Sequence, residues 1–279
     1  MSLEAPKALS RKPPRACSSL RFVSYETLDS TNEEAKRLAA QGDFGPLWIR
    51  TDSQSAGRGR RGRVWTSKAG NLFCSGLYPH EGNAHQLAQL SFAASLALAD
   101  TLEHYVPKEL ISLKWPNDVL LAGKKTAGIL LESGQTKIHQ AHHQKWIVIG
   151  IGVNLTHHPK ETDFLATHVL EHIPSADLET AEPVMTGAQA VLAILANRFD
   201  YWRHILMTSG FELIGQAWTE RAHNVPGPVT VRLPDETFTG EALGLDANGA
   251  LRVRLADGTI RDVHAGDVFF GRDKTQDKK

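Results

Sequence analysis

The stretch "RFVSYETL" (Arg21 to Leu28) alternates apolar and polar positions and predicts a β-strand. It runs into "DSTNEEAKRLAAQGD", where Ser30 with Glu33 and Thr31 with Glu34 each have capping-box spacing and Gly42 supplies a stop, so a helix is expected. "PLWIRTDS" and "NLFCSGLY" predict two more strands, separated by a glycine–arginine loop. Apolar residues at helical spacing predict a long amphipathic helix from Ala84 to Tyr105. "LISLKW" and "KTAGILLES" predict neighbouring strands joined through the turn "PNDVLLAGK", and "KWIVIGIGVNL" predicts a third, largely buried strand. Two further helices are expected, over Gly187 to Met207 and Phe211 to Ala222. Before them "HHPKETDFLATHVLEHIPSADLETAEP" has weak periodicity and reads as a long surface excursion with one short helix.

At "NVPGP" (Asn224 to Pro228) the pattern changes. From there to Arg272 short alternating segments with Gly, Asp and Asn turns follow one another: "VTVRL", "TFTGEALGLD", "ALRVRL", "TIRDV" and "DVFFG". That is the signature of a small β-barrel. The expected organisation is a tail over 1–20, a large domain over 21–223, the barrel over 224–272 and a tail over 273–279.

Composition narrows the function classes. The chain of 279 residues holds 31 basic and 31 acidic side chains, a formal net charge of +0, whereas a protein that lives on DNA usually shows a basic excess. Two cysteines, Cys17 and Cys74, make no disulfide framework and point to a reducing cytoplasm. The longest apolar run, "LSFAASLALADTL", is too short and too broken to cross a bilayer.

Against this balance, "GRGRRGRVW" (Gly57 to Trp65) packs three glycines and four arginines into nine positions. Gly57-x-Gly59-x-x-Gly62 matches a dinucleotide fingerprint formally, but no helix follows to face a pyrophosphate. "GKKT" (Gly123 to Thr126) imitates the end of a P-loop, yet Asp118 stands where that motif needs its first glycine. A nucleic-acid clamp lacks interleaved aromatics, and a plain solvated turn does not need three glycines. The chemistry suits a mobile lid over a nucleotide-like anion, with arginines giving forked, charge-assisted hydrogen bonds. A second constellation, "KWPNDVLLAGKKTAGILLES", places Lys114, Asn117 and Asp118 at one strand end and Lys124 and Lys125 at the start of the next. Asn117 and Asp118 could equally satisfy their own turn. The histidines His139, His142, His143, His157 and His158 read as solvated loop residues, and no metal site is expected from them.

Taken together, the blocks "DSTN" (Asp29 to Asn32), "QSAGRGRRGRVW" (Gln54 to Trp65), "KWPND" with "GKKTAGILLE" (Lys114 to Glu132) and "VIGIGVNL" (Val148 to Leu155) resemble the biotin protein ligase family, in the family's order. A weaker fifth block, "GEALGLDANGALRV", resembles that family's C-terminal barrel. The resemblance implies an α+β fold: a central mixed β-sheet with flanking helices, like the class II aminoacyl-tRNA synthetases, plus an SH3-like barrel. It implies that Ser30, Thr31, Asn32 and Gln54 contact biotin, and that Gly57, Arg58, Gly59, Arg60, Arg61 and Arg63 belong to a loop folding over the activated intermediate. Lys125 would sit on the carboxylate and phosphate, with Gly128 in the same block, while Trp65, Lys114, Asn117, Asp118 and Asn154 line the nucleotide side. Lys125, Arg60 and Asp118 are the implied catalytic residues. ATP, Mg²⁺ and biotin are the implied small molecules, and a biotin carboxyl carrier protein is the implied partner. The resemblance leaves room for a homodimer. Only about twenty residues precede the first strand, so the DNA-binding domain and repressor role of many relatives are not expected. The alternatives are a lipoate or octanoate ligase or transferase of related fold, and a nucleic-acid-binding regulator.

Overall fold

The computed structural model describes residues 20–270 apart from 140, 141, 161, 163 and 175–186. The two expected tails lie outside the described residues except for Leu20. Strands β1 (Arg21–Leu28), β2 (Leu47–Gln54), β3 (Leu72–Pro79), β4 (Ile111–Lys114), β5 (Asp118–Leu121), β6 (Lys124–His139) and β7 (His142–Val153) form one sheet in the order β1-β2-β3-β7-β6-β5-β4. β1 and β2 run parallel and every other neighbouring pair is antiparallel, so the sheet is mixed.

Side-chain alternation sends the two faces to different partners. One face of β2, β3 and β7 buries Leu47, Ile49, Leu77, Trp146 and Val148 against Ala35 and Ala39 of helix α1 (Thr31–Ala40). The other face, with Trp48, Leu72, Ile147, Ile149, Ile151 and Val153, belongs to the main core. The long helices α2 (Ala84–Leu102) and α3 (Ala188–Ser209) and the short α4 (Phe211–Thr219) share that core.

Strands β8 (Gly227–Arg232), β9 (Thr237–Leu245), β10 (Leu251–Arg254), β11 (Ile260–Val263) and β12 (Asp267–Phe269) make a second, wholly antiparallel sheet in the order β11-β10-β9-β8-β12. This is the small barrel, and its apolar side chains Val229, Val231, Leu251 and Val253 are continuous with the main core. Gly249 makes the join: its carbonyl accepts the Trp115 indole N–H at 3.1 Å, and the Phe92 ring lies directly over it.

Three expectations are corrected. Neither capping box forms at α1: Ser30 is the N-cap but its side chain makes no cap bond. The Thr31 hydroxyl instead lies 2.7 Å from Ser75 Oγ, Glu33 pairs with Lys36 at 3.0 Å, and Glu34 pairs with Arg37 at 2.7 Å. The capping box that does form is at α2, between Asn83 and Gln86. "PNDVLLAGK" contains a strand, β5, because Val119 and Leu121 gain ladder partners on both sides. The stretch read as a polar histidine connection is mostly strand, β6 and β7 pairing as far as His139 with His142. Among the described residues of the excursion there is one 3₁₀ turn, Val169–His172; its residues 175–183, where the expected short helix could also fall, lie outside the described residues.

The Gly249 join can be tested against a distal glycine. Gly249 (φ +92°) and Gly258 (φ +86°) both have left-handed backbone, but a Cβ on Gly249 would stand 2.7 Å from Phe92, whereas one on Gly258 meets nothing within 4 Å. Gly258→Ala should cost about 1–2 kcal/mol of stability from conformation alone, and Gly249→Ala about 2–5 kcal/mol because overpacking adds to it. Urea melts check this; equal losses would show that the Phe92 contact carries no weight.

Candidate functional site

Along β7 the face that α1 covers changes character. Trp146 and Val148 give way to Gly150 and Gly152 on the same face. A Cβ at Gly150 would stand 2.2 Å from Asn32 Oδ1, and one at Gly152 would stand 2.4 Å from the Trp65 ring. Gly128, opposite Gly152 on β6, also lies beneath Trp65, at 3.1 Å. Three missing side chains thus open a cavity of about 450 Å³ above the sheet, at the N-terminus of α1.

One end of this cavity is a neutral polar network. The Thr31 N–H donates to Gln54 Oε1 at 2.9 Å, Gln54 Nε2 donates to Ser67 Oγ at 2.9 Å, and Ser75 Oγ donates to Asn32 Oδ1 at 2.6 Å. Asn32 Nδ2 in turn donates to Glu132 Oε2 at 2.7 Å. Ser30, Thr31 and Asn32 are buried. Glu132 also takes Lys36 at 2.6 Å and Arg58 at 3.1 Å, and Arg58 pairs with Glu33 as well.

The other end is cationic. Lys125 Nζ lies 2.6 Å from Asp118 Oδ1 and 5.6 Å from the centre of the Trp65 ring. Arg60 Nη1 donates to Asn117 Oδ1 at 3.2 Å, and Asn117 Nδ2 donates to the Ile129 carbonyl at 2.8 Å. Lys114 stands 4.3 Å from the centre of the Phe164 ring, which stacks on Phe269. Burial pushes the Arg60 guanidinium below the ordinary arginine value, against the opposing pull of Asp118 and Asp267. Four cationic side chains (Arg60, Arg63, Lys114, Lys125) face two carboxylates (Asp118, Asp267) in this part of the cavity wall, Arg58 being taken up by Glu33 and Glu132, so a neutral chain has gathered a local positive field suited to a polyanion. The Trp65 indole N–H is buried without a hydrogen-bond partner, a donor available to a bound molecule. Cys74 also touches the cavity, but burial pushes its thiol well up, so it supplies no thiolate at neutral pH.

The glycine–arginine loop crosses the mouth of the cavity. Gly59 N–H donates to the Arg63 carbonyl at 2.7 Å and Trp65 N–H to the Gly57 carbonyl at 2.9 Å, folding the loop back on itself. Arg61 and Gly62 take the left-handed backbone at the tip. Of the residues expected at the site, Gly57 and Arg61 do not line the cavity. Gly57 is packed against Ser67 and the Trp65 carbonyl, too closely for a Cβ, and Arg61 turns outward to Asp267 at 3.1 Å. Arg63 pairs with the same carboxylate at 3.0 Å. The remaining residues, including Asn154 and Gly128, line one continuous space. Sequence reasoning missed Glu132, Gly150, Gly152, Phe164 and Asp267. The two glycines were findable, since they alternate with period two in a strand otherwise rich in Ile and Val.

The profile of the Biotin/lipoate A/B protein ligase family matches residues 25–154, and that of the Biotin protein ligase C terminal domain matches residues 228–271. A biotin–[acetyl-CoA-carboxylase] ligase of Paracoccus denitrificans is 41% identical over 246 residues, spanning 87% of this chain and 98% of that one. The ligase of the same name from Mycobacterium tuberculosis is 33% identical over 250 residues, spanning 87% and 86%. Among solved structures, biotin protein ligase from Aquifex aeolicus in complex with biotin and ATP superposes with a TM-score of 0.68 at 23% identity, covering 90% of this chain and 99% of that one. An enzyme of the ligase class is thereby defined. The chain belongs to the biotin protein ligase family. The match at the C-terminal barrel is to a biotin ligase domain, so the lipoate and octanoate alternatives are not favoured.

Glu132 ties the polar end to the loop, and its titration tests that tie. Burial alone would raise its carboxyl, but Lys36, Asn32 and the Arg58 charge outweigh burial and hold it below the ordinary glutamate value. A depressed carboxylate contributes stability that is complete above the unfolded pKa, about 4.3, and is lost as pH falls through the folded value. Glu132→Gln is therefore expected to be less stable by about 1.5–3 kcal/mol at neutral pH and to lose less on acidification. Parallel stability curves for the two proteins across the acid range would refute the tie.

Proposed function

We propose that this chain activates biotin with ATP to biotinyl-5′-AMP and then transfers the biotinyl group to a lysine of a biotin carboxyl carrier domain. The observation that carries this reading is one cavity with a neutral polar end and a cationic end, with Lys125 beside the ring of Trp65 and a glycine-hinged loop across the opening. A ureido ring needs donors and acceptors without net charge, and the Thr31, Asn32 and Gln54 network provides them. Phe164, stacked on Phe269, gives a flat face for a base, and Lys114 lies over it.

In the first step a biotin carboxylate oxygen attacks the α-phosphorus of ATP, and the bond to the pyrophosphate oxygen breaks. Two anions must meet, and Lys125 with Arg60 supplies positive charge that is already in place when charge builds up. Asp118 holds the Lys125 ammonium ready until the substrates compete for it. Magnesium would arrive with the nucleotide, held by its phosphates, with the Asp118 carboxylate as the oxygen ligand within reach of that end; hard oxygen donors suit this ion. In the second step a neutral lysine amine of the acceptor attacks the mixed anhydride carbonyl, the acyl–oxygen bond breaks, AMP leaves and the amine gives up its proton. Between the steps the loop must exclude water from the anhydride. A cytoplasmic location, where carrier domains and ATP occur together, belongs to the same reading; among the described residues no helix is long and apolar enough to cross a membrane.

The overall reading is tested by mass spectrometry of an acceptor domain incubated with the protein, biotin, ATP and Mg²⁺. A gain of one biotinyl group is expected, and an unmodified acceptor would overturn the assignment. Lys125→Ala should lower biotin-dependent pyrophosphate release on the order of a hundredfold or more while leaving the fold intact. Its backbone bonds to Leu165 and Thr167 do not need the side chain. Release within about threefold of the unsubstituted protein would remove Lys125 from this role.

Arg60→Gly should uncouple the two steps. It removes the loop's bond to Asn117 and a buried guanidinium, and it adds backbone freedom. If these cost about 2–3 kcal/mol of intermediate retention, adenylate escape rises about 30- to 150-fold. Streptavidin probing of a bystander protein reads the escape as indiscriminate lysine labelling. A bystander left unlabelled while the variant still consumes ATP would show that Arg60 does not hold the intermediate.

A further inference from the structure

Beyond the cavity, three side chains of the excursion after β7 converge on one point: His158, His168 and Glu171. His158 Nδ1 lies 2.9 Å from His168 Nδ1, and Glu171 Oε1 lies 3.5 Å from His168 Nδ1 and 3.9 Å from His158 Nδ1. The point equidistant from three atoms so spaced lies about 2.0 Å from each, against roughly 2.0–2.2 Å for zinc to imidazole nitrogen or carboxylate oxygen. We propose that His158, His168 and Glu171 form a binding site for a divalent transition-metal ion of the zinc type.

The local fold presents these ligands together. His168 caps the 3₁₀ turn Val169–His172, and positions three apart eclipse in that geometry, which brings Glu171 over His168. Ten residues earlier, His158 reaches the same point from the other end of the excursion. The carboxylate is oriented from behind, Thr167 Oγ1 donating to Glu171 Oε2 at 2.6 Å and lying 2.8 Å from His172 Nε2. Outer partners of this kind fix a ligand's direction before the ion arrives. All three ligand side chains retain solvent exposure, 23%, 15% and 43%, leaving room for entry and for a water as fourth ligand. Two imidazoles and one carboxylate select zinc-like ions over magnesium, so the nucleotide's own cation is not the occupant.

An ion here would staple the two ends of a segment that walls the cavity. Pro159, Thr162, Phe164 and Ala166 line that wall, between the ligands His158 and His168. The far end is already knitted to the site: Thr167 N–H donates to the Lys125 carbonyl at 2.9 Å, and Asn154 Nδ2 donates to the Thr167 carbonyl at 3.1 Å. The ion would be structural, closing a loop whose ends are sequence-distant by ten residues, and it takes no part in the acyl transfer.

The test uses the full chain, stripped with a chelator and titrated with zinc chloride against a chromophoric competitor, with bound metal counted by mass spectrometry. Thirteen histidines make background binding a real concern, so the result lies in the difference between variants. A His158→Gln/His168→Gln double variant should lose one equivalent, whereas His142→Gln/His143→Gln should keep it. Thr167→Val, which spares both histidines and the carboxylate, should weaken binding about 10- to 100-fold. At free zinc about 100 times the dissociation constant, the melting midpoint should rise by about 5 °C in the unsubstituted protein and not in the double variant. Cobalt substitution should give visible bands of a four- or five-coordinate site, and magnesium should do neither. If the double variant melts at the same temperature as the parent without metal yet binds the same number of zinc ions, the proposal fails. Should it not fold, Glu171→Gln carries the same comparison, and unchanged zinc affinity there would overturn the site. In that event the two rings make only a hydrogen bond to each other.

Discussion

Trp65 lies flat on β7 and β6 because nothing projects from Gly152 and Gly128 beneath it. Asn32 approaches the same strand one alternation earlier because Gly150 is bare. Everything else about the site follows from this contact between side chains and a naked stretch of sheet. With valine or isoleucine at these positions the face would continue as core, as it does at Trp146 and Val148 under α1. The N-terminus of α1 would then have no polar network to join, and the glycine–arginine loop would have no indole to anchor its return. The sheet buys a cavity by giving up three side chains, and the buried apolar packing on its opposite face, from Ile147 to Val153, keeps the strands in register while it does so.

The barrel completes the site from a distance in sequence. Asp267 on β12 receives both Arg61 and Arg63, so the tip of the loop is held by a residue about two hundred positions away. Phe269, on the same strand, stacks on Phe164 of the excursion. The barrel is fixed in turn by Trp115 against Gly249, one residue along from Lys114. Charge follows the same economy. The chain is neutral overall, yet its sheet ends and one loop bring four cations to one end of the cavity, which is why overall charge said nothing about the anion-binding capacity there.

What could be read from the residues was local pattern. Alternating or continuous apolar runs marked eleven of the twelve strands, directly or as part of a longer run, and the α+β class was expected from the resemblance. β5 escaped because "DVLL" sits between two turn signals and is a strand only through its neighbours. The capping boxes at α1 failed for the converse reason: local chemistry was sound, but Thr31, Glu33 and Glu34 had tertiary partners in Ser75, Arg58 and Tyr25 that used their oxygens. Lys125, Asp118 and Asn117 could be singled out because they cluster in one block. Glu132, Phe164 and Asp267 could not, because each matters only through a residue far off in the chain. Gly57 illustrates the reverse: its freedom serves the close packing of the loop stem against Ser67 and leaves the cavity wall to others.

The strengths of the tethers decide whether the loop can act as a lid. Arg61 and Arg63 are over a third exposed where they meet Asp267, and ion pairs of that kind contribute about 0–1 kcal/mol each. Arg60 holds Asn117 by one bond at 3.2 Å, between a charged donor and a neutral acceptor. A phosphate in the cavity would accept charge-assisted, forked bonds from the same guanidinium in a less hydrated setting, each contributing about 1.5–3 kcal/mol. The exchange therefore favours the ligand, and the resting contacts are weak enough to be traded rather than broken at a net loss. Glu132 behaves differently, since it holds Arg58, Lys36 and Asn32 together in a part-buried cluster that a phosphate at the far end does not reach. The loop is thus anchored at its Arg58 end and exchangeable at its Arg60 to Arg63 end, which is the asymmetry a hinged cover requires.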